Sequence, residues 1–138
     1  MRPIAIAVIR RGASILVSEG LDRTKRETFY RPLGGGIEFG ETAEEALRRE
    51  LREELGVELA SVRLLGVLEN LFRFEGSPGH EIVFVFDAVV ADPGFYSSDP
   101  PLLVLDEGSR VSWEPVRRFT NGSARLYPQG MEPFLEID

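Results

Sequence analysis

The segment at residues 81–91 (EIVFVFDAVVA) constrains the fold more than any other, because it is almost continuously apolar. A strand with one face in water alternates apolar and polar residues, whereas a strand without that alternation is buried on both faces. We therefore predict a central strand here, covered by other elements on each side. The simplest arrangement that gives this cover is one mixed β-sheet with helices on both faces, an α/β fold.

The 138 residues suit a single domain spanning residues 1–138. Hydrophobic residues make up 43% of the chain and charged residues 28%, which is typical of a globular protein. No apolar run reaches the roughly 18 residues needed to cross a bilayer. The first residues lack the cleavage pattern of a signal peptide. We therefore expect a cytoplasmic protein with no membrane partner.

The composition excludes several kinds of site. The chain has no cysteine, which rules out disulfides, thiol nucleophiles and thiolate zinc sites. His80 is the only histidine, so a metal site built from several histidines is also excluded. The formal net charge of −7 is unfavourable for general nucleic-acid binding. If the protein binds phosphates, we expect a cation to mediate the contact.

Local patterns predict the remaining elements. Alternating apolar residues predict a hairpin from residues 4–9 and 14–18, and glycine or proline content predicts loops and strand ends. The other predicted elements are a loop at 21–27, a strand at 29–31 stopped by Pro32, a glycine-rich loop at 33–41, a strand at 62–72, a turn at 73–80, a loop at 92–110, a strand at 111–116 and a final helix near 129–137.

Residues 42–55 carry the strongest helix signal. Thr42 and Glu45 have the T-x-x-E spacing of a capping box, in which each side chain accepts a hydrogen bond from the other residue's backbone N–H. Gly56 follows the last apolar position, where a left-handed C-cap is expected. The sequence therefore predicts one helix with both of its ends defined locally.

Two glutamates of this helix lie within its apolar stripe. At 100° per residue, Glu50 and Glu54 project among the apolar side chains, and Glu53 lies at the edge of the stripe. The stripe consists of Ala46, Leu47, Leu51 and Leu55. A solvated charged face is the ordinary explanation of such a sequence. That explanation fits poorly, because a carboxylate in apolar surroundings costs several kcal/mol unless it is paired or binds a metal.

Two kinds of positive charge could neutralise these carboxylates. Arg49 and Arg52 are close in sequence, but on the wheel they lie outside the apolar stripe, and Arg52 points away from the glutamates. Mg²⁺ or Mn²⁺ suits clustered carboxylate oxygens and needs neither histidine nor cysteine. Mg²⁺ commonly completes its coordination shell with substrate phosphates. The preceding glycines, residues 34–36, would let the backbone approach such a group closely.

These motifs together resemble the Nudix box, G-x5-E-x7-R-E-U-x-E-E-x-G-U, where U is aliphatic. Residues 35–57 match every position of that pattern. The resemblance implies an α/β/α sandwich around a mixed sheet. It also implies that water and a divalent metal hydrolyse a nucleoside diphosphate linked to another group X. Mg²⁺ is the expected ion, and Mn²⁺ is a possible substitute.

The resemblance also implies roles for individual residues. Glu50, Glu53 and Glu54 would be metal ligands, together with the backbone carbonyl of Gly34. Glu50 would polarise the attacking water, and Glu41 and Arg49 would orient the cluster, Arg49 by pairing with an acid. Family members often add an acid from a late loop, where Glu107 is the candidate and Asp106 and Asp99 are rivals. The catalytic residues would then be Glu50, Glu53, Arg49 and Glu107.

The sequence indicates the substrate-binding residues less specifically than it indicates the metal ligands. Aromatic faces for stacking on a base are available, and Arg31 could contact phosphate. The aromatic candidates are Tyr30, Phe72, Phe74 and Tyr127, each of which could equally be a packing residue. Glu81 could reach the site or simply begin a strand. No marker of a substrate subgroup is visible.

Three alternatives differ in observable features. A catalytically silent Nudix domain that senses a nucleotide or ADP-ribose usually has a broken box, whereas this box is intact. An isopentenyl diphosphate isomerase, which has a similar fold, needs a cysteine. A purely structural domain gives no reason for glutamates in an apolar stripe. The expected partners are a small nucleotide substrate and, because dimers are common in the family, a second copy of the chain.

Overall fold

The structure is a computed structural model and describes residues 1–97 and 109–135. The strands within these ranges are β1 (Arg2–Val8), β2 (Arg10–Arg11), β3 (Ser14–Asp22), β4 (Glu27–Gly36), β5 (Leu59–Phe74), β6 (Ser77–Val90) and β7 (Val111–Pro115). The α-helices are α1 (Ala43–Leu55), α2 (Val116–Thr120) and α3 (Glu132–Leu135), and a 3-10 helix spans Pro93–Ser97. Among the described residues, no helix is long and apolar enough to cross a membrane.

The strands form one curled mixed sheet with the order β2-β3-β4-β1-β6-β5, and β7 pairs with β3. The β1–β6 pair is parallel, and the other pairs are antiparallel. Strand β6 lies between β1 and β5, and its side chains alternate between two apolar cores. One core lies under α1, and the other lies under α2 and α3. The predicted covered strand and α/β architecture are therefore confirmed.

The predicted hairpin of residues 4–9 with 14–18 is confirmed only beside its turn, where Ile9 and β2 pair with the start of β3, and it is wrong for β1. Strand β1 pairs with β4 on one edge and with β6 on the other, so β3 has no free edge of β1 to join. Strand β3 instead pairs with β2, β4 and β7. Burial explains the choice, because all five residues from Ile4 to Val8 are buried, which requires β1 to lie inside the sheet.

The predicted strand end at Pro32 is wrong, and the predicted glycine loop at 33–41 is wrong for residues 33–36, because β4 continues to Gly36. Residues 37–41 do form a loop before α1. Residues 27–32 of β4 pair with β3, and residues 33–36 pair with β1. Pro32 therefore lies at the point where the strand changes partner, where its missing N–H is best tolerated. The glycines after it are strand residues that lack side chains, and this leaves room for groups on both faces of β4.

Two predicted connections are shorter than expected. Strands β5 and β6 are joined by Glu75 and Gly76, which both have positive φ, as a two-residue hairpin turn of this kind requires. The loop at 21–27 contracts to residues 23–26, because the buried Asp22 accepts hydrogen bonds from the backbone of that turn and of Glu75. The final helix covers only Glu132–Leu135 within the described residues.

Candidate functional site

Helix α1 has the local ends that the sequence predicts. Thr42 Oγ1 accepts a hydrogen bond from the Glu45 backbone at 3.1 Å, and Glu45 Oε1 accepts one from the Thr42 backbone at 2.8 Å. Gly56 is left-handed, with φ of 69°, and its N–H donates to the carbonyl of Arg52 at 2.9 Å. The capping box and the glycine C-cap are therefore confirmed.

Glu50 lies on the flank of α1 that faces the glycines of β4, and Glu53 and Glu54 follow it on the next turn of the helix. Glu50 and Glu54 are half-buried, as the helical wheel predicts, whereas Glu53 is exposed. A Cβ added to Gly35 would lie 2.5 Å from the carboxylate carbon of Glu50, so this carboxylate occupies the space that a side chain at Gly35 would need. One oxygen of Glu54, Oε1, is buried. Backbone without a side chain thus forms one wall of the acidic cluster.

Arg49 lies at the centre of this cluster. Its guanidinium forms a two-pronged ion pair with Glu41, at 2.7 and 2.9 Å, and donates to the carbonyl of Gly36 at 3.0 Å. The same group reaches Glu50 at 3.1 Å and Glu53 at 3.3 Å. The expected pairing of Arg49 with an acid is observed, but the wheel did not show that Glu41 and the carbonyl of Gly36 are among its partners. Arg52 points away as predicted and pairs with Glu58.

The Arg49–Glu41 pair changes the protonation equilibria of both groups. The hydrogen bond from Arg49 lowers the pKa of Glu41 from its usual value near 4.5 to about 2. The same bond raises the pKa of the Arg49 guanidinium above its usual range. Glu38, outside the helix, adds a further negative charge at 3.8 Å from Arg49. Arg49 and Glu41 therefore remain a charged pair throughout the neutral and mildly acidic range.

The lowered pKa of Glu41 gives a testable pH dependence. A carboxyl group whose pKa is lower in the folded state stabilises the fold above its unfolded pKa and loses that effect as the pH falls. We expect the stability difference between wild type and Glu41→Gln to be constant above about pH 5 and to shrink towards pH 2. Urea unfolding at a series of pH values measures it. A difference independent of pH would contradict the Arg49–Glu41 pairing.

Gly35 provides a second prediction. In Gly35→Ala the new Cβ would meet the Glu50 carboxylate at 2.5–2.7 Å, so the side chain of Glu50 must move. A displacement of about 1 Å in an active group can lower a rate by about 10²-fold. We therefore expect a loss of that order in kcat with a retained fold, measured by initial rates and circular dichroism. A folded Gly35→Ala variant with the wild-type kcat would show that the position of Glu50 against Gly35 does not affect catalysis.

The acidic side chains do not form a completed ligand set. Within residues 1–97 and 109–135, no three histidine or carboxylate groups meet at one point as metal ligands do. The predicted acid Glu107 and its rivals Asp106 and Asp99 lie outside the described residues. Glu81 faces the core under α2 and α3, on the side of the sheet opposite α1, so it does not join this cluster.

The aromatic candidates for substrate contact are engaged in packing. The Tyr30 ring contacts Phe119 at 5.8 Å, and the Arg118 guanidinium lies over it at 5.6 Å. Phe74 packs edge-on against Phe29 at 6.0 Å. The ring of Phe72 lies over Gly79, and the ring of Tyr127 contacts Phe29 at 5.3 Å. Arg31, the candidate for phosphate contact, is exposed.

Comparisons with known proteins agree with this architecture. The family model of the NUDIX domain matches residues 1–135. A NUDIX hydrolase from Nitrosomonas europaea has a TM-score of 0.69 at 23% identity, covering 96% of this chain and 85% of that one. The mMutator MutT protein from Bacillus halodurans has a TM-score of 0.66 at 18% identity, covering 100% and 84%. These two structures share the fold.

Curated relatives match parts of the chain. An RNA pyrophosphohydrolase from Pseudoalteromonas atlantica is 46% identical over 116 residues, covering 72% of this chain and 66% of that protein. A nucleoside triphosphatase NudI from Enterobacter sp. (strain 638) is 48% identical over 59 residues, covering 42% of each. An NAD-capped RNA hydrolase NudC from Pasteurella multocida is 38% identical over 64 residues, covering 46% and 24%.

The chain therefore spans between 24% and 66% of the length of these three relatives. The similarity to the family itself is much broader, because the NUDIX match extends over almost the whole sequence and over all the elements that hold the acidic cluster. With a complete motif at residues 35–57 and the matching fold, the chain belongs to the Nudix hydrolase family.

Proposed function

We propose that the protein hydrolyses a phosphoanhydride bond in a nucleoside diphosphate linked to another group, with the help of a divalent cation. The observation that carries the proposal is the carboxylate of Glu50 held against Gly35, beside Glu53 and Glu54 on the same flank of α1. The relatives named as a nucleoside triphosphatase, an RNA pyrophosphohydrolase and an NAD-capped RNA hydrolase support a substrate that contains a nucleotide.

The donors of the cluster fit a hard divalent cation. All the side-chain donors are carboxylate oxygens, which Mg²⁺ and Mn²⁺ prefer. The side-chain-free wall at Gly35 holds one carboxylate in place, and one oxygen of Glu54 is already removed from water. Glu50, Glu53 and Glu54 would hold the cation, with the carbonyl of Gly34. When bound, the cation would make the phosphorus more electrophilic and the attacking water more acidic.

The neighbouring residues have distinct roles in this proposal. Arg49 joins Glu41, Glu50 and the carbonyl of Gly36, and so it fixes the helix against the end of β4. This contact positions the carboxylates and lessens their mutual repulsion. The carboxylate of Glu50 lies nearest the backbone wall and would accept a proton from the attacking water. Arg49 and Glu41 are therefore positioning residues, because neither would touch the reacting atoms.

Metal removal tests the proposal directly. Hydrolysis should be measured on nucleoside triphosphates, ADP-ribose, sugar nucleotides and dinucleoside polyphosphates with Mg²⁺, with Mn²⁺ and with EDTA. We expect turnover of at least one compound class with either metal and a loss of turnover in EDTA that added Mg²⁺ restores. No turnover of any compound, with nucleotide still bound, would reject the hydrolase and favour a nucleotide sensor.

A further inference from the structure

Strand β5 forms one edge of the sheet, and its second half is regular. It pairs only with β6, and from Gly66 to Phe74 that pairing has no register shift. The two register shifts of β5 both precede this segment. A long regular edge strand is a template for pairing with another strand. Residues 66–74 are therefore the part of the edge that is best suited to extend the sheet.

The turn between β5 and β6 defines which backbone groups of this edge point outwards. The two turn residues, 75 and 76, both have positive φ, so the flanking residues Phe74 and Ser77 exchange both backbone hydrogen bonds. Every second residue before Phe74 then directs its N–H and C=O away from β6. These outward residues are Val67, Glu69, Leu71 and Arg73.

One contact confirms this direction. The ammonium group of Lys25, which belongs to the turn between β3 and β4, donates to the carbonyl of Arg73 at 3.1 Å. That carbonyl keeps a second lone pair for another donor. Within residues 1–97 and 109–135, no other hydrogen bond reaches the outward backbone groups of β5 at 67, 69, 71 and 73. The edge therefore has the donors and acceptors that a neighbouring strand requires.

Two apolar side chains beside this edge are exposed. Val67 lies opposite Phe84 of β6, which packs against the core under α1, and Leu71 lies on the same face of β5. Helix α1 packs on β1 and β4, so it does not cover them, and Val67 is 49% exposed and Leu71 is 70% exposed. Exposed apolar side chains on an edge strand indicate a contact with another protein surface.

We propose that two copies of the chain associate through these edges, with the two β5 strands antiparallel about a twofold axis at Leu71. An antiparallel pair of identical strands is self-complementary, because the same surface of each copy meets the other. The outward backbone groups of Leu71 bind those of Leu71 of the partner subunit. Residues 68–74 of each copy take part, and the two sheets become one continuous sheet.

Charge selects this register over its neighbours. Glu69 and Arg73 lie on the same face as Leu71, and the proposed axis places each Glu69 opposite Arg73 of the partner subunit. An axis two residues earlier would place Glu69 opposite its own copy, and an axis two residues later would do the same for Arg73, and like charges repel. The Glu69 carboxylate bonds His80 through Oε2 at 2.8 Å, so Oε1 is available for the arginine.

The test is the oligomeric state in solution. Sedimentation equilibrium from about 1 to 200 µM should give a mass that rises from 15.4 kDa towards twice that value, because a small interface dissociates on dilution. Arg73→Glu should raise the dissociation constant by about tenfold or more, since two opposite-charge pairs become two like-charge pairs. Leu71→Lys should have an effect at least as large, because it places two ammonium groups at the axis.

A charge exchange and a matched control identify the interface. The double variant Glu69→Arg with Arg73→Glu restores both opposite-charge pairs, so its dissociation constant should return to within about threefold of wild type. Arg117→Glu makes the same change in charge as Arg73→Glu at an exposed residue of α2. This helix follows β7, which pairs with β3 and not with β5, so the variant should dimerise as wild type does. Circular dichroism checks that each variant is folded.

A mass of 15.4 kDa at every concentration would overturn the inference and point to a strand of another protein at this edge. A dimer that persists in both Arg73→Glu and Leu71→Lys would overturn it as well, because the copies would then meet elsewhere. A double variant as weak as Arg73→Glu would reject the antiparallel register about Leu71. The inference does not rest on the proposed function, because association is measured without substrate or metal.

Discussion

Replacing Glu53 by glutamine is expected to lower kcat by about 10³-fold, within the range found when one catalytic group is lost. Glutamine keeps the length of the side chain but removes the negative charge that a divalent cation requires. Glu53 is 59% exposed, and its ion pair with Arg49 is 3.3 Å long, so the fold does not depend on it. Surface pairs of this kind contribute about 0–1 kcal/mol. Initial rates and thermal unfolding measure the two effects separately.

The matched control for Glu53→Gln is Glu44→Gln. Glu44 lies in the first turn of the same helix and pairs with Arg48 at 3.1 Å, away from the glycines of β4. The substitution makes the same change in charge, so a general effect of net charge would appear in both variants. We expect Glu44→Gln to keep its rate within about twofold, because exposed i, i+4 pairs are weak. Equal losses in both variants would exclude a specific role for Glu53.

Replacing Gly34 by alanine is expected to destabilise the fold by about 4 kcal/mol, combining overpacking with backbone strain. The new Cβ would lie 2.0 Å from the carbonyl oxygen of Ala5 and 2.8 Å from the Cα of Ile6, both backbone atoms of β1. Backbone in the middle of a sheet cannot turn aside as a flexible side chain can. The φ of Gly34, 149°, is also unfavourable for alanine. Urea unfolding measures the loss.

The variant Gly40→Ala separates the two causes of destabilisation expected in Gly34→Ala, overpacking and backbone strain. Gly40 has φ of 90°, but no atom lies within 4 Å of its Cβ position. Its substitution should therefore cost only the backbone strain, about 1–2 kcal/mol. If Gly34→Ala were no more destabilising than Gly40→Ala, the close packing of β4 on β1 would be contradicted.

Helix α1 could be predicted residue by residue, because its limits depend on neighbours in the chain. The bonds between Thr42 and Glu45 and the left-handed Gly56 need no tertiary partner. The burial of its leucines follows from their spacing alone. For the same reason, the spacing of the three glutamates was enough to assign them to one flank of the helix.

The contacts of Arg49 could not be predicted in the same way. Its partners are a carboxylate eight residues earlier and a carbonyl at the end of β4, and their positions depend on how the helix docks on the sheet. The helical wheel places the Cβ atom of an arginine, but the guanidinium at the end of a long side chain can reach well to either side. The wheel therefore gives the direction of Arg49 but does not identify the groups that its guanidinium contacts.

The wrong strand predictions have a similar cause, because they also depend on contacts between residues that are far apart in the sequence. Pro32 and the glycines are loop signals in any short window, and only the change of pairing from β3 to β1 shows why a strand tolerates them. Likewise, the ion pair between Arg2 and Glu81 was not visible in the sequence, because the two residues lie on different strands. Register between distant strands brought them together.

The local caps of α1 also fix its axial position. A helix that starts at Thr42 and stops at Gly56 by its own chemistry cannot slide or add a turn to absorb an insertion or deletion. Removing one residue between Thr42 and Glu50 would rotate everything downstream by about 100° relative to the cap. Either the helix would lose its N-cap, or Glu50 would no longer lie against Gly35. The length of this segment is thus as tightly constrained as the identity of its acids.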